Sequence, residues 1–511
     1  MSEETHKKKD ERIRNKDYEI PGISKIELLT CLVIWFSFLL KGCYDFYKLL
    51  YTKKTLQHFR KEMLIAPFYF GLYTSAYDNQ WDELLKLLST IWAPILVYMI
   101  LSKLFRQKCS PNVIMINNTI LAIAFNYYYS SLKFLGMELI IFLIPAVFGL
   151  FKSKTLVWIS GLSMLYGLRY VYKYPFFNFE FIFFHAYPYT GLLITRSISI
   201  GLTIADSTKS DSKSFLEMLY FYFYFPAIVG CRMMNVKDFV AQIYKPYIIP
   251  NWKIWFCGVF KVVIYTILWS FIHKFVHVNL ILSTHEIKRI HFVSLMGTQL
   301  FSGLHFYMVY VVFYRGNFLL TQLDGFLTTD GPECIAHITL YSRMWKNFDT
   351  GLHVWLKEYI FRPVVKLGSF NVTKHFAIFA SFGFVCIFHG VQINNIVWIA
   401  INLFQYYSEN LLKFLYLHTS FGAAMERKFS PISIRRIIAF SGALSFIMSI
   451  YAFASFLFGL ELANSIYFSQ EKASLNLLCS RLFYLITFSY AHSQMSLTVN
   501  EYLRKRKSKD S

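Results

Sequence analysis

The sequence predicts an all-α, polytopic integral membrane protein, and three observations carry that prediction. Of 511 residues, 55% are apolar, only 16% are charged and 19% are Phe, Trp or Tyr, a balance outside that of soluble domains. The apolar residues gather in stretches near the length that a hydrocarbon core demands of a crossing helix, about 20 residues. The charges collect between these stretches and at the two ends. Hydropathy predicts a bundle of roughly ten crossings, with shorter re-entrant segments whose backbone must be satisfied by protein or water.

Residues 1–25 form a basic segment, with Lys7, Lys8, Lys9, Arg12, Arg14 and Lys16 ahead of a first apolar run at 26–40. No small-residue cleavage pattern follows, so this run reads as an anchor and not as a removed leader. Between 52 and 82, charges alternate with aromatics around Pro67, the composition of a segment lying along the interface. Spans are predicted at 84–101, 113–129, 135–151 and 156–172, the first and third containing Pro94 and Pro145. A polar loop at 205–214 precedes an aromatic span at 216–229 that holds Pro226. Further spans are predicted at 254–272, 292–314, 376–388, 396–417, 437–460 and 475–491. No internal repeat or detachable soluble domain interrupts the pattern, so 26–495 reads as one membrane domain and 496–511 as a basic tail.

A formal net charge of +22 raises nucleic acid as a partner. The positions of the positive residues, beside spans and at the ends, match cytosolic loops under the positive-inside rule instead. Both ends are therefore expected in the cytosol, which requires an even number of complete crossings. The last five residues, Lys507-Ser508-Lys509-Asp510-Ser511, fit the Lys-x-Lys-x-x form of an endoplasmic-reticulum retrieval signal. A polybasic tail held at an anionic leaflet produces the same match. The eight cysteines are scattered without CxxC spacing, which excludes a disulfide framework and leaves most of them as packing residues.

One histidine, His389, lies in the apolar run Phe384-Val385-Cys386-Ile387-Phe388-His389-Gly390. An imidazole at membrane depth is expensive, so it is a functional candidate by default. Upstream, Asp349 stands among aromatic and polar residues from Met344 to His353, and the two suggest acid/base chemistry inside a bilayer. The plainer alternatives are a packed polar histidine and an aspartate capping a helix that begins at Thr350 or Gly351.

A set of spaced residues carries a resemblance. It comprises Leu323-Asp324-Gly325, Gly331-Pro332-Glu333-Cys334, Met344-Trp345, Phe348-Asp349-x-Gly351-Leu352-His353, Phe388-His389-Gly390 and Glu409-Asn410. Upstream of these lie Arg196-Ser197-Ile198-Ser199 and Tyr224-Phe225-Pro226 with Gly230 and Phe239. The whole resembles the membrane-bound O-acyltransferase superfamily, and within it the hedgehog acyltransferases. Cys231 departs from the superfamily's usual proline, Phe388 from its tryptophan, and Lys346 from the arginine of the nearest relatives.

The resemblance implies transfer of a palmitoyl-type chain from acyl-coenzyme A to the N-terminal cysteine of a secreted protein. By resemblance, His389 and Asp349 are the catalytic pair, Trp345 and Asn410 contact substrate, and Cys334 is the axial ligand of a haem b iron. A thiolate is a reasonable axial donor. An α-amine has a pKa of only about 8, so the base has little to do, and positioning with oxyanion stabilisation carries more of the rate. Lys357, Arg362, Lys366 and Lys374 offer a basic mouth for the donor's phosphates, or serve as ordinary positive-inside residues. Glu409 and Asn410 also read as interhelical hydrogen-bonding residues. Three other readings stay open: acylation of a serine hydroxyl or lipid alcohol, a silent member that regulates a secreted partner, and, on hydropathy alone, a transporter, although matched broken halves are missing.

Overall fold

In lipid a backbone N–H or C=O without a partner costs several kcal/mol, so apolar stretches of this length close their hydrogen bonds within helices. The computed structural model describes residues 22–50, 63–65, 73–75, 79–129, 132–171, 186–207, 214–229, 232–245, 250–275, 291–335, 340–467 and 475–510. Most of the basic segment 1–25, most of 52–82, loop residues 208–213, Gly230, Cys231 and Ser511 lie outside the described residues.

The first helix is α1 (Lys25–Leu50), followed by a short antiparallel pair, β1 (Met63–Ile65) and β2 (Tyr73–Ser75), with Met63 opposite Ser75. This pair falls in the stretch read as interfacial and is a local exception to the all-helical pattern. Four long helices follow: α2 (Asn79–Lys108), α3 (Pro111–Tyr129), α4 (Leu132–Leu150) and α5 (Lys154–Val171). Next come α6 (Ala186–Asp206) and three short helices, α7 (Phe215–Tyr222), α8 (Phe225–Val229) and α9 (Val236–Ile243). The capping box of Ser214 with Glu217 starts α7. Then α10 (Trp252–Phe275) and α11 (Phe292–Tyr310) run on through a π-helical turn (Val311–Arg315) into α12 (Gly316–Leu323). Short α13 (Tyr341–Asn347) and α14 (Thr350–Leu356) lead through a second π turn (Lys357–Phe361) to α15 (Arg362–Val365). The remainder is α16 (Phe370–Phe388), α17 (Ile393–His418), α18 (Ser420–Lys428), α19 (Pro431–Phe458), α20 (Leu460–Tyr467) and α21 (Leu475–Asp510).

Six helical stretches among the described residues are long and apolar enough to cross a membrane: Lys25–Asp45, Leu132–Leu150, Trp252–Ile272, Phe292–Leu323, Phe370–Phe388 and Pro431–Phe458. The helices α2, α3, α5, α6, α17 and α21 are as long, and buried polar groups lower the apolarity of α2 (Ser102), α3 (Asn118, Asn126), α6 (Arg196), α17 (Asn402) and α21 (His492). The chain is thus a multi-pass helical membrane protein. α10 shows the lipid-facing pattern, with Ile254, Phe256, Phe260, Ile267 and Phe271 exposed.

Two glycine crossings bring backbones into contact. A Cβ at Gly297 of α11 would lie 1.9 Å from the Phe38 carbonyl oxygen of α1, and one at Gly42 would lie 2.9 Å from the Ser294 carbonyl oxygen. Between α4 and α6, a Cβ at Gly149 would meet the Gly201 carbonyl oxygen at 2.5 Å, and one at Gly201 the Pro145 carbonyl oxygen at 2.5 Å. Small residues admit this approach where lipid offers no hydrophobic drive between helices.

Ion pairs gather three helix ends at one face. Glu27, at the start of α1, accepts from Arg436 at 2.8 Å. Arg435, fully buried beside it, contacts Glu501 near the end of α21 at 3.4 Å and Thr498 at 2.8 Å. The start of α1, the start of α19 and the end of α21 therefore share one end of the bundle.

Candidate active site

His389 is the residue that ends α16 and does not lie inside it, contrary to the apolar run in which the sequence sets it. Its N–H bonds the Val385 carbonyl at 3.0 Å, and Gly390 follows at φ +86°, a conformation that glycine reaches without a Cβ clash. The side-chain amide of Asn395, in the first turn of α17, donates to the carbonyls of His389 (2.9 Å) and Gly390 (2.6 Å). The turn that carries the imidazole is thereby pinned from the following helix.

Three aromatic rings stand edge-on to the half-buried imidazole: Phe388 at 5.4 Å, Trp398 at 5.6 Å and Phe456 at 5.2 Å between centroids. Trp398 stacks on Phe456 at 4.4 Å, joining α17 to α19. On the other side, Gly191 of α6 leaves room for the Phe388 ring, which a Cβ there would meet at 3.3 Å. Trp345, placed by α13, approaches Trp398 at 5.6 Å and Phe382 at 4.8 Å. Its indole N–H donates to Asn402 Oδ1 at 3.0 Å. The result is an apolar enclosure with one titratable ring at its edge.

Asp349 is both a helix cap and a member of this site. Its Oδ1 accepts from the Leu352 N–H at 3.0 Å, capping α14, and its Oδ2 accepts from the Tyr314 hydroxyl at 3.0 Å. Arg232 Nη1 faces Oδ1 at 3.8 Å. The carboxylate also lies within electrostatic reach of the His389 imidazole. Gly351 keeps the packing open here, since a Cβ would stand 2.9 Å from the Met233 carbonyl oxygen.

Trp345 and His389 thus meet through Trp398, while Asp349 reaches the imidazole through its charge. Asn410 stands apart: it is exposed, and its amide donates to the Tyr406 carbonyl of its own helix at 2.8 Å. Asn402 is the α17 asparagine that touches Trp345. Glu409 holds α17 to α13, accepting from the Ser342 N–H at 2.9 Å. Lys357, Arg362 and Lys366 are exposed, Arg362 pairs with Glu358, and Lys374 lies over the Phe370 ring. His375 contacts the Tyr407 hydroxyl at 3.1 Å, and His353 lies half-buried on α14.

Cys334 is half-buried in the segment before α13, close enough to Tyr307 and Lys261 to influence both electrostatically. Its neighbour Glu333 pairs with Arg343 and accepts from Asn347 at 2.6 Å, while the Glu333 N–H bonds the Asn347 carbonyl at 3.0 Å. Among the described residues no three His, Cys, Asp or Glu side chains are grouped to hold a metal ion. A haem needs only one protein donor on an axial face, and a thiol on a pinned backbone fits that requirement.

Arg232, Tyr314, Asn395, Trp398, Asn402 and Phe456 were not singled out from sequence. One signal was available: Asn394-Asn395 closely follow His389-Gly390, and Asn side chains commonly bond nearby backbone groups. Arg232 and Tyr314 are distant in sequence and meet only through folding.

The chain is 22% identical over 355 residues to protein-cysteine N-palmitoyltransferase Rasp of Drosophila melanogaster, covering 67% of this chain and 69% of the relative. It is 25% identical over 264 residues to protein-cysteine N-palmitoyltransferase HHAT of Mus musculus, covering 51% of this chain and about half, 53%, of that relative. The sequence profile described as the membrane-bound O-acyltransferase family matches residues 129–453, a stretch containing Arg232, Tyr314, Cys334, Trp345, Asp349, His389 and Trp398, and the chain belongs to that family.

Proposed function

We propose that this protein moves a palmitoyl-type chain from palmitoyl-coenzyme A to the N-terminal cysteine of a secreted, hedgehog-like protein, in the endoplasmic-reticulum membrane. The observation that carries the reading is the His389 imidazole enclosed by Phe388, Trp398 and Phe456, with the charge of Asp349 in reach. An apolar enclosure receives an acyl chain, and a neutral imidazole at its edge accepts a proton. The two relatives' names, both protein-cysteine N-palmitoyltransferases, support a palmitoyl donor and a protein acceptor.

The reaction follows from the groups present. The acceptor's neutral α-amine attacks the thioester carbonyl carbon, a C–N bond forms, and the C–S bond breaks. His389 takes the proton that the nitrogen sheds and returns it to the departing sulfur, giving an amide and free coenzyme A. Both Asp349 oxygens accept hydrogen bonds, and a guanidinium stands opposite. We therefore assign Asp349 to the electrostatics of the imidazole, not to anchoring the acceptor's ammonium group.

The start of α16 lies roughly 28 Å along the helix from His389, at 1.5 Å a residue, and Lys366 and Lys374 flank it. These residues form the mouth that receives the donor's phosphates on the cytosolic side, with membrane lipids around the bundle. Haem b, where bound, would be held by Cys334 and would add an iron–thiolate bond to the pinned segment. No step of acyl transfer is assigned to it.

The decisive experiment offers purified protein palmitoyl-coenzyme A and a peptide with a free N-terminal cysteine, beside the same peptide N-acetylated. Labelling of the free peptide alone is expected. Equal labelling of both would move the assignment to a thiol or hydroxyl acceptor, and donor binding without labelling would indicate a lipid alcohol acceptor or a regulatory member.

A further inference from the structure

The Asp349 carboxylate is held by residues that come from three separate parts of the chain. Arg232, 1% exposed, follows α8 and precedes α9. Its Nη2 donates to the carbonyl oxygens of Thr329 (3.0 Å) and Asp330 (2.6 Å), to the Thr329 hydroxyl, and to the Thr350 hydroxyl at 2.9 Å. Its Nη1 turns to Asp349 Oδ1 at 3.8 Å. The guanidinium carbon lies 4.5 Å from the centre of the Tyr314 ring, whose hydroxyl donates to Asp349 Oδ2. Tyr314 belongs to the π turn Val311–Arg315, a widening of the helix that recurs near functional sites. Arg315, next on the same turn, pairs with Asp330 at 3.0 Å.

A buried guanidinium with a single role as packing would be costly. Here one planar fork fixes a loop, the start of α14 and a carboxylate at once, an arrangement that Lys cannot reproduce with one compact charge. The cation–ring contact keeps Tyr314 beneath the fork, so the orientation of its hydroxyl depends on Arg232. Each component meets Asp349, and Asp349 is the charge that reaches His389.

We propose that Arg232 and Tyr314 are positioning residues for acyl transfer, which fix the Asp349 carboxylate in the place and orientation that serve His389. The assignment rests on the acyl-transfer reading above. Neither residue touches the reacting atoms, so its removal lowers turnover through Asp349 and leaves donor affinity alone.

The test uses full-length protein with Arg232→Gln, Tyr314→Phe and Asp349→Asn, alone and in pairs. Each single variant at Arg232 or Tyr314 should lower kcat by about 10-fold to 100-fold, the cost of misplacing a catalytic group by up to 1 Å, with KM for palmitoyl-coenzyme A unchanged. Combined with Asp349→Asn, neither should reduce kcat further, because residues acting through one group are not additive. Tyr314→Phe keeps the ring and removes one hydroxyl, so it reports on the proposal even where Arg232→Gln fails to fold. Full activity of Tyr314→Phe, or losses that multiply with Asp349→Asn, would overturn it. A wild-type protein that acylates no acceptor would remove the acyl-transfer reading and this proposal with it, whereas an active wild type with unaffected variants removes the proposal alone.

Discussion

His389 can act as a base only while its ring keeps one orientation, and its own side chain does little to secure it. The positive φ of Gly390, the two bonds from Asn395 and the three surrounding rings do so. His389→Ala should lower kcat by at least about 100-fold, the lower end of what acid–base catalysis supplies, with the melting temperature near wild type because the ring fills the edge and not the centre of the packing. Retained turnover would reject the base. Under the haem reading, Cys334→Ala should abolish any Soret absorbance of the purified protein without unfolding it, and an unchanged haem spectrum would rule out the thiolate ligand. Residue types alone marked His389 and Asp349 as candidates, since charge at membrane depth is rare. They singled out Asn410 and not Asn402, the α17 asparagine that bonds Trp345, and the difference is geometric. Positions 402 and 409 lie two helical turns apart on one face and both bond α13, whereas 410 is rotated by about 100° from 409 and points outward.

Among the elements, the helices were legible and their joints were not. Apolar length predicted α4, α10, α16 and α19 because lipid permits the backbone few other forms. The two π turns and the β1–β2 pair escaped, since an extra residue in a turn leaves no hydropathy trace. The glycine crossings also lack a periodic signal, as Gly42 and Gly297 are far apart in sequence and oppose one another only in the bundle. Gly297→Ala should cost about 2 kcal/mol or more, the scale of overpacking, read as earlier thermal unfolding in detergent. The neighbour is the Phe38 carbonyl, which cannot rotate away as a side chain would. Unfolding at the wild-type temperature would mean that α1 and α11 are separated in solution.

For the molecule as a whole, the positive charge of the two ends predicted that they share a side, and Glu27–Arg436 and Arg435–Glu501 bring the adjoining helix ends to one face. Which membrane side that face occupies follows from charge bias alone. Under the proposed endoplasmic-reticulum location, tags at the two ends should both become reachable by antibody once only the plasma membrane is opened, and a tag that needs the reticulum membrane opened as well would contradict the assignment. The number of crossings was less legible. Most of the long helices carry buried polar groups, and these satisfy one another only after the bundle has assembled, as in Ser102, Asn118 and Tyr220 around Asp324.

The position of Phe456 on α19 has a consequence for the direction of the chemistry. From Arg435, at the shared face, to Phe456, beside His389, the helix rises roughly 30 Å at 1.5 Å a residue, about the whole hydrocarbon thickness. Under the proposed reaction the bond is made near the side away from the chain ends. Spent coenzyme A then withdraws toward one compartment while the lipidated product departs into the other. Once separated by the bilayer, the two products no longer meet, and the acylation becomes vectorial on the free energy of the thioester alone.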